Sequence, residues 1–166
     1  VMTTQKQINN FFKTANNVKK ININMDIYVL YFDGCCKKNP GPGASGSVLY
    51  KNNNEIWYDS TFSGKKVTNN IAEYYGLING LQYLVNNNIN YVTIRGDSLL
   101  IINQMTGKYK VKSNNIKELY NTAKSLESKL TNITYEHVYR EHNQRADELA
   151  NEGINNKIIV SKIAEN

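Results

Sequence analysis

The chain has 166 residues, 40% hydrophobic and 20% charged, with a formal net charge of +6 and a pI near 9.2. That is enough chain for one domain with its own core, and too ordinary a composition for a fibrous, disordered or membrane-embedded protein. The basic balance fits a polyanionic partner, or solubility alone. Two cysteines, Cys35 and Cys36, are adjacent. They exclude a disulfide framework and a CxxC metal pattern, and point to an intracellular, reducing compartment. No apolar run approaches the length that crosses a bilayer, and no signal-peptide core is visible. The abundance of asparagine looks like base-composition bias rather than chemistry.

Residues 1–25 are polar and rich in Asn and Lys, with one apolar island from Gln5 to Phe12. Its spacing is Q-x-x-I-x-x-F-F, which puts Ile8, Phe11 and Phe12 on one side of a single helical turn. Two adjacent phenylalanines in a polar tail call for a surface that buries them. The island resembles a PIP box, the peptide by which replication proteins plug into the sliding clamp PCNA. The resemblance implies Gln5 as polar anchor and Ile8, Phe11 and Phe12 as the plug. It also implies a location in the nucleus or wherever DNA is replicated. The other reading is a short amphipathic segment that packs on its own domain. Residues 14–24 read as a tether.

Ile27 to Phe32 is apolar on both alternating faces, as in a strand covered on both sides of its sheet. The run stops at Asp33-Gly34, and Asn39-Pro40-Gly41-Pro42-Gly43 reads as a turn that no central strand would contain. Asp33 is either a turn former or a carboxylate at a buried strand end, where open α/β sheets place ligands. Strands follow at Ala44–Tyr50 and Glu55–Ser63, joined by a turn at residues 51–54, which makes an antiparallel meander. Ile71, Tyr74, Tyr75, Ile78, Leu81 and Val85 then recur at helical spacing. Asn70 is the expected cap of that helix, with Glu73 as its capping-box acid. The next strand runs from Tyr91 to Asp97. Strand, crossover helix and strand predict parallel pairing, which brings Asp33 and Asp97 to one edge. Asp97 can also cap the short helix that starts at Leu99. A basic linker carries Lys108, Lys110 and Lys112. A helix is expected at Ile116–Leu130, a strand at Ile133–Tyr139, and a helix at Asn143–Glu152 stopped by Gly153. Residues 154–166 are expected to be a tail, in which Ile158-Ile159-Val160 could pack back.

Asp33, Glu73, Asp97 and Asp147 each fall at an element end that points to one edge. Four carboxylates in one place repel and raise each other's pKa unless cations neutralise them. Oxygen-only ligation favours Mg²⁺ or Mn²⁺ over zinc. Two such ions suit phosphodiester cleavage. The residues alone therefore describe a basic, metal-dependent nuclease.

Four stretches, FDGCCKKNPGPGASG, TNNIAEYYGLINGL, IRGDSLLIINQ and REHNQRADELAN, resemble in order and spacing the motifs of type 1 ribonuclease H, over about residues 26–153. The resemblance implies an α/β ribonuclease H-like fold: a five-stranded mixed sheet with helices on both faces. It implies cleavage of the RNA strand of RNA–DNA hybrids with two Mg²⁺ ions (Mn²⁺ as substitute), leaving 5′-phosphate and 3′-hydroxyl ends. Asp33, Glu73, Asp97 and Asp147 would be the metal-binding acids. The backbone of Gly34, Cys35 and Cys36, together with Asn39 and Glu73, would line the RNA side. Thr68, Asn69, Asn70 and Lys66 would meet the DNA strand. Two departures stand out. The loop before the last acid is short, so His142 lies five positions from Asp147; it is either a product-release histidine or a side chain that meets only solvent or phosphate. Leu99 stands where some members have a polar contact, and Lys108–Lys112 is only a brief substitute for their basic handle. Asn143 shares the helical face of Asp147 and is a further site candidate. The expected division is a tail at 1–25, the catalytic domain at 26–153 and a tail at 154–166, in a monomer. The competing readings are an integrase-like nuclease, a hybrid-binding module without catalysis, and a clamp-bound adaptor.

Overall fold

The computed structural model describes residues 25–157 and 159–163. Three strands, β1 (Tyr28–Cys36), β2 (Gly41–Lys51) and β3 (Asn54–Val67), form an antiparallel meander. Helix α1 (Asn69–Asn86) crosses over to β4 (Tyr91–Gly96), which pairs parallel with β1. Helices α2 (Leu99–Met105) and α3 (Asn114–Glu127) lead to β5 (Asn132–His137), parallel to β4. A 3-10 turn at Arg140–His142 then opens into α4 (Gln144–Asn156). The last element is β6 (Ile159–Ile163), antiparallel to β3. The sheet order is β5-β4-β1-β2-β3-β6.

Helices cover both faces. Leu30, Phe32, Leu49, Trp57 and Ile94 of the sheet pack with Tyr74, Leu77, Leu81 and Leu84 of α1 and with residues of α2 and α3. On the other face Val48 meets Ala146 and Leu149 of α4, flanked by Tyr31, Tyr50 and Tyr58. This is the α/β mixed sheet that the resemblance implies, with six strands instead of five. The sixth lies in the expected C-terminal tail and continues the sheet on the open edge of β3.

Several local expectations change. Strand β1 does not stop at Asp33; it runs on to Cys36 because β2 keeps pairing with it as far as Cys36↔Gly43. What ends near Asp33 is the parallel ladder, whose last pair is Phe32↔Gly96. Asp33 therefore lies where β1 loses one neighbour and keeps the other, which opens one side to a ligand while the backbone stays fixed. The segment Gly41-Pro42-Gly43 is strand, not turn. It tolerates proline because the β2–β3 register shifts between Gly41 and Gly43. The cap of α1 is Thr68, whose hydroxyl accepts from the Ile71 N–H at 3.3 Å. Asn70 lies inside the first turn, so Glu73 is not a capping-box acid. Gly153 does not stop α4, which continues to Asn156 and ends at Lys157 in the left-handed region (φ 49°). Gly153 is instead buried against Ala44, whose Cβ would lie 2.8 Å from an added one.

Candidate active site

The parallel pair places Asp33 and Asp97 side by side, and the first turns of α1 bring Glu73 over them. Glycine makes this approach possible: a Cβ on Gly34 would collide with the Glu73 backbone. One oxygen from each of Asp33, Glu73 and Asp97 lies within 4.8 Å of the others. Asp33 is 5% exposed, with its Oδ1 accepting from the Gly34 N–H at 2.7 Å. Burial, and then the charges of Asp97, Glu73 and Asp147, push its pKa up to about 8 against the Gly34 hydrogen bond. Burial also lifts Glu73 to about 7, opposed by a hydrogen bond from Ser98 and helped by the charge of Asp97. Glu73 Oε2 is buried with no hydrogen-bond partner among the described residues.

An orphaned carboxylate oxygen, two raised carboxyls and an all-oxygen donor set fit a hard divalent cation. The cation would be held by Asp33, Glu73 and Asp97. Asp147 is not part of that cluster. It sits in the first turn of α4, close enough for Asp33 to feel its charge, and is paired with Arg140 Nη2 at 3.3 Å.

The expected substrate contacts also gather. Asn39 Oδ1 accepts from the Asn69 N–H at 3.2 Å, and Asn69 Oδ1 accepts from the Cys36 N–H at 3.0 Å. The β1–β2 turn, the end of β1 and the start of α1 are thereby tied together beside Thr68. Lys66 and Asn70 are exposed. Both cysteines are free; burial and the charges of Asp33 and Asp147 push the Cys35 thiol up to about 12, so it stays protonated. His142 is exposed and lines a hollow of about 340 Å³ with Tyr31, Tyr50, Arg95 and Arg145; none of the four acids lines it. Asn143 is 1% exposed and turns its amide inward. Gln5, Ile8, Phe11 and Phe12 lie outside the described residues.

Three side chains that the sequence reading passed over touch this edge: Arg140, Ser98 and His137. His137 Nε2 lies 3.1 Å from the Asp97 carbonyl. The signal for it was weak, since a histidine at a strand end carries no spacing. Arg140 lies within REHNQRADELAN, where nothing in its spacing marks it as the partner of Asp147.

Comparisons with known proteins bear on the family and the fold. Residues 31–153 match the family described as Reverse transcriptase-like. The Ribonuclease H of Francisella philomiragia is 34% identical over 143 residues, covering 76% of this chain and 90% of that one. This chain belongs to the ribonuclease H-like family. Within that family, the Bifunctional protein Rv2228c of Mycobacterium tuberculosis is 37% identical over 127 residues, covering 76% of this chain. The chain spans only about a third, 35%, of that relative's length. Among solved structures, LC11-RNase H1 in complex with an RNA/DNA hybrid is similar with a TM-score of 0.73 and 35% identity, over 78% of this chain and 98% of that one. The matched residues 31–153 include all four acids.

Proposed function

We propose that this protein is an endonuclease that hydrolyses the RNA strand of RNA–DNA hybrids, leaving 5′-phosphate and 3′-hydroxyl ends. The observation that carries the reading is the convergence of Asp33, Glu73 and Asp97 within 4.8 Å at a strand-end edge. It is supported by family relatives named as ribonucleases H, one of them solved with a hybrid bound.

When bound, two Mg²⁺ ions (or Mn²⁺) would supply activation of the attacking water and stabilisation of the leaving oxygen. The chain's own part is positional. Asp33 is fixed by the backbone of β1, Asp97 follows directly after β4, Glu73 is lowered onto them by α1, and Asp147 approaches from α4. The backbone of Gly34, Cys35 and Cys36, which follow Asp33 in β1, and the side chain of Asn39, tied to the start of α1 through Asn69, would read the 2′-hydroxyls that distinguish RNA. Thr68, Asn69, Asn70 and Lys66, at the end of β3 and the start of α1, would meet the DNA strand. Arg140, which pairs with Asp147, would meet the phosphate being cut, whereas His142 lines a hollow that none of the four acids lines.

Cleavage in Mg²⁺ of four labelled duplexes of one sequence tests the reading. Cutting of only the RNA strand in RNA–DNA is expected. Binding without cutting would leave a hybrid-binding module, and cutting of DNA an integrase-like nuclease. We further propose that Gln5, Ile8, Phe11 and Phe12 attach the enzyme to a sliding clamp of the PCNA type, which would place it where DNA is replicated. Deleting residues 1–13 should abolish clamp binding and leave cleavage of free hybrid intact.

A further inference from the structure

Asn143 stands at the junction of the elements that carry the acids. Its backbone carbonyl accepts the first bond of α4, from the Asp147 N–H at 3.1 Å. Its side-chain Nδ2 donates to the Phe32 carbonyl at 2.9 Å, one residue before Asp33, and to Asp97 Oδ1 at 3.4 Å. Its Oδ1 is buried with no partner among the described residues. One residue therefore links the end of the parallel ladder in β1, the acid beyond β4 and the acid of α4.

The orphaned oxygen is informative. A buried acceptor without a donor is destabilising, and an apolar side chain of similar size would avoid that. The amide must therefore be present for what Nδ2 does. Turning it over would set Oδ1 against a carbonyl and a carboxylate, acceptor against acceptor. Helix capping is not the reason, because Asn143 precedes α4 without a side-chain cap hydrogen bond. Charge narrows the choice further: a lysine here would compete with a cation, and a carboxylate would add repulsion to the acids.

We propose that Asn143 is a positioning residue. Its N–H donors hold the Asp97 carboxylate in the orientation that converges with Asp33 and Glu73, and tie α4, with Asp147, to the end of β1. With 1% of its surface exposed it does not touch the hybrid. The inference rests on the metal-holding role proposed for the acids, but not on which nucleic acid is cut.

The test uses Mn²⁺ as the probe, bound to the full chain without nucleic acid and followed by the electron paramagnetic resonance of the free ion. Asn143→Ala is expected to weaken Mn²⁺ binding about 10- to 100-fold, as loss of a ligand-orienting hydrogen bond does, and to change hybrid affinity in EDTA by less than about twofold. Cleavage should fall with it at low Mg²⁺ and recover in part at high Mg²⁺. Asn143→Ser offers a hydroxyl that could cap α4 but is too short to reach Asp97. It should behave like alanine, and it carries the test if the alanine variant does not fold. Unchanged Mn²⁺ affinity in a folded variant overturns the proposal. So does loss of hybrid affinity with Mn²⁺ binding intact, which would make Asn143 a substrate contact. Failure of the proposed activity looks different: wild-type protein would bind Mn²⁺ and cut no hybrid, and the comparison of Asn143 variants would still stand.

Discussion

The four acids fall into two regions built in different ways. Asp33, Glu73 and Asp97 are gathered by the sheet and the crossover helix, with Asp33 5% exposed and held by its neighbour's backbone. Asp147 rides on a separate helix with a side chain 28% exposed, and pairs with an arginine that is itself 78% exposed. The first region is rigid and electrostatically loaded before any ligand arrives. The second is half-solvated and already partnered. A cation should therefore meet the three-carboxylate cluster first, and Asp147 should join after giving up Arg140.

The comparison can be broken at its strongest point. Asp97→Asn should reduce cleavage by about three orders of magnitude or more while hybrid binding in EDTA is retained, measured by single-turnover cleavage and fluorescence anisotropy. Retained turnover would remove the assignment of the cluster. Asp147→Asn should cost less, about 10- to 100-fold, with Mn²⁺ still bound by the remaining three acids. Equal loss of metal in both variants would erase the distinction between the regions.

Proton linkage sharpens it. Asp33 and Glu73 are raised to about 8 and about 7 in the folded protein, against about 4 for carboxyls in an unfolded chain. The unfolded state loses these protons first, so their contribution makes the metal-free protein less stable as pH rises from about 4 to about 8. Thermal melts in EDTA should show that decline, and Mg²⁺ should offset it most at the alkaline end, releasing protons as it binds. A metal-free melting temperature that rises over this range would contradict it. The smallest effect belongs to the exposed pair: Arg140→Ala should change stability by less than about 1 kcal/mol, and salt should shrink even that.

Much of this was legible in the chain because periodicity and topology are strong signals. Strand, crossover helix and strand fixed the parallel neighbours and hence the meeting of Asp33 with Asp97. What was not legible depended on pairing across distance. Pro42 reads as a strand breaker, and only a register shift with β3 lets it lie in β2. Asn70 is the cap that the sequence suggests, and backbone geometry makes it Thr68 instead. Gly153 looks like a helix stop, yet its missing side chain serves contact with Ala44. Residues 159–163 carry too little pattern to announce a strand; the unpaired edge of β3 supplies the reason for one. The separation of Asp147 from the other three acids was invisible too, because sequence spacing gives order along a chain and not the reach of a particular arginine.

The glycines at the helix–sheet contacts have a consequence for how such a protein can change over generations. A Cβ on Gly34 would strike the Glu73 backbone, and one on Gly76 would come within 2.6 Å of the Asp33 carbonyl. A Cβ on Gly46 would strike the Ala146 carbonyl, next to Asp147. Bulky core residues can trade volume with their neighbours as sequences drift. An empty position beside a main-chain atom has nothing to trade. These glycines act as spacers of zero thickness that hold the acids together, and they should outlast the hydrophobic residues around them.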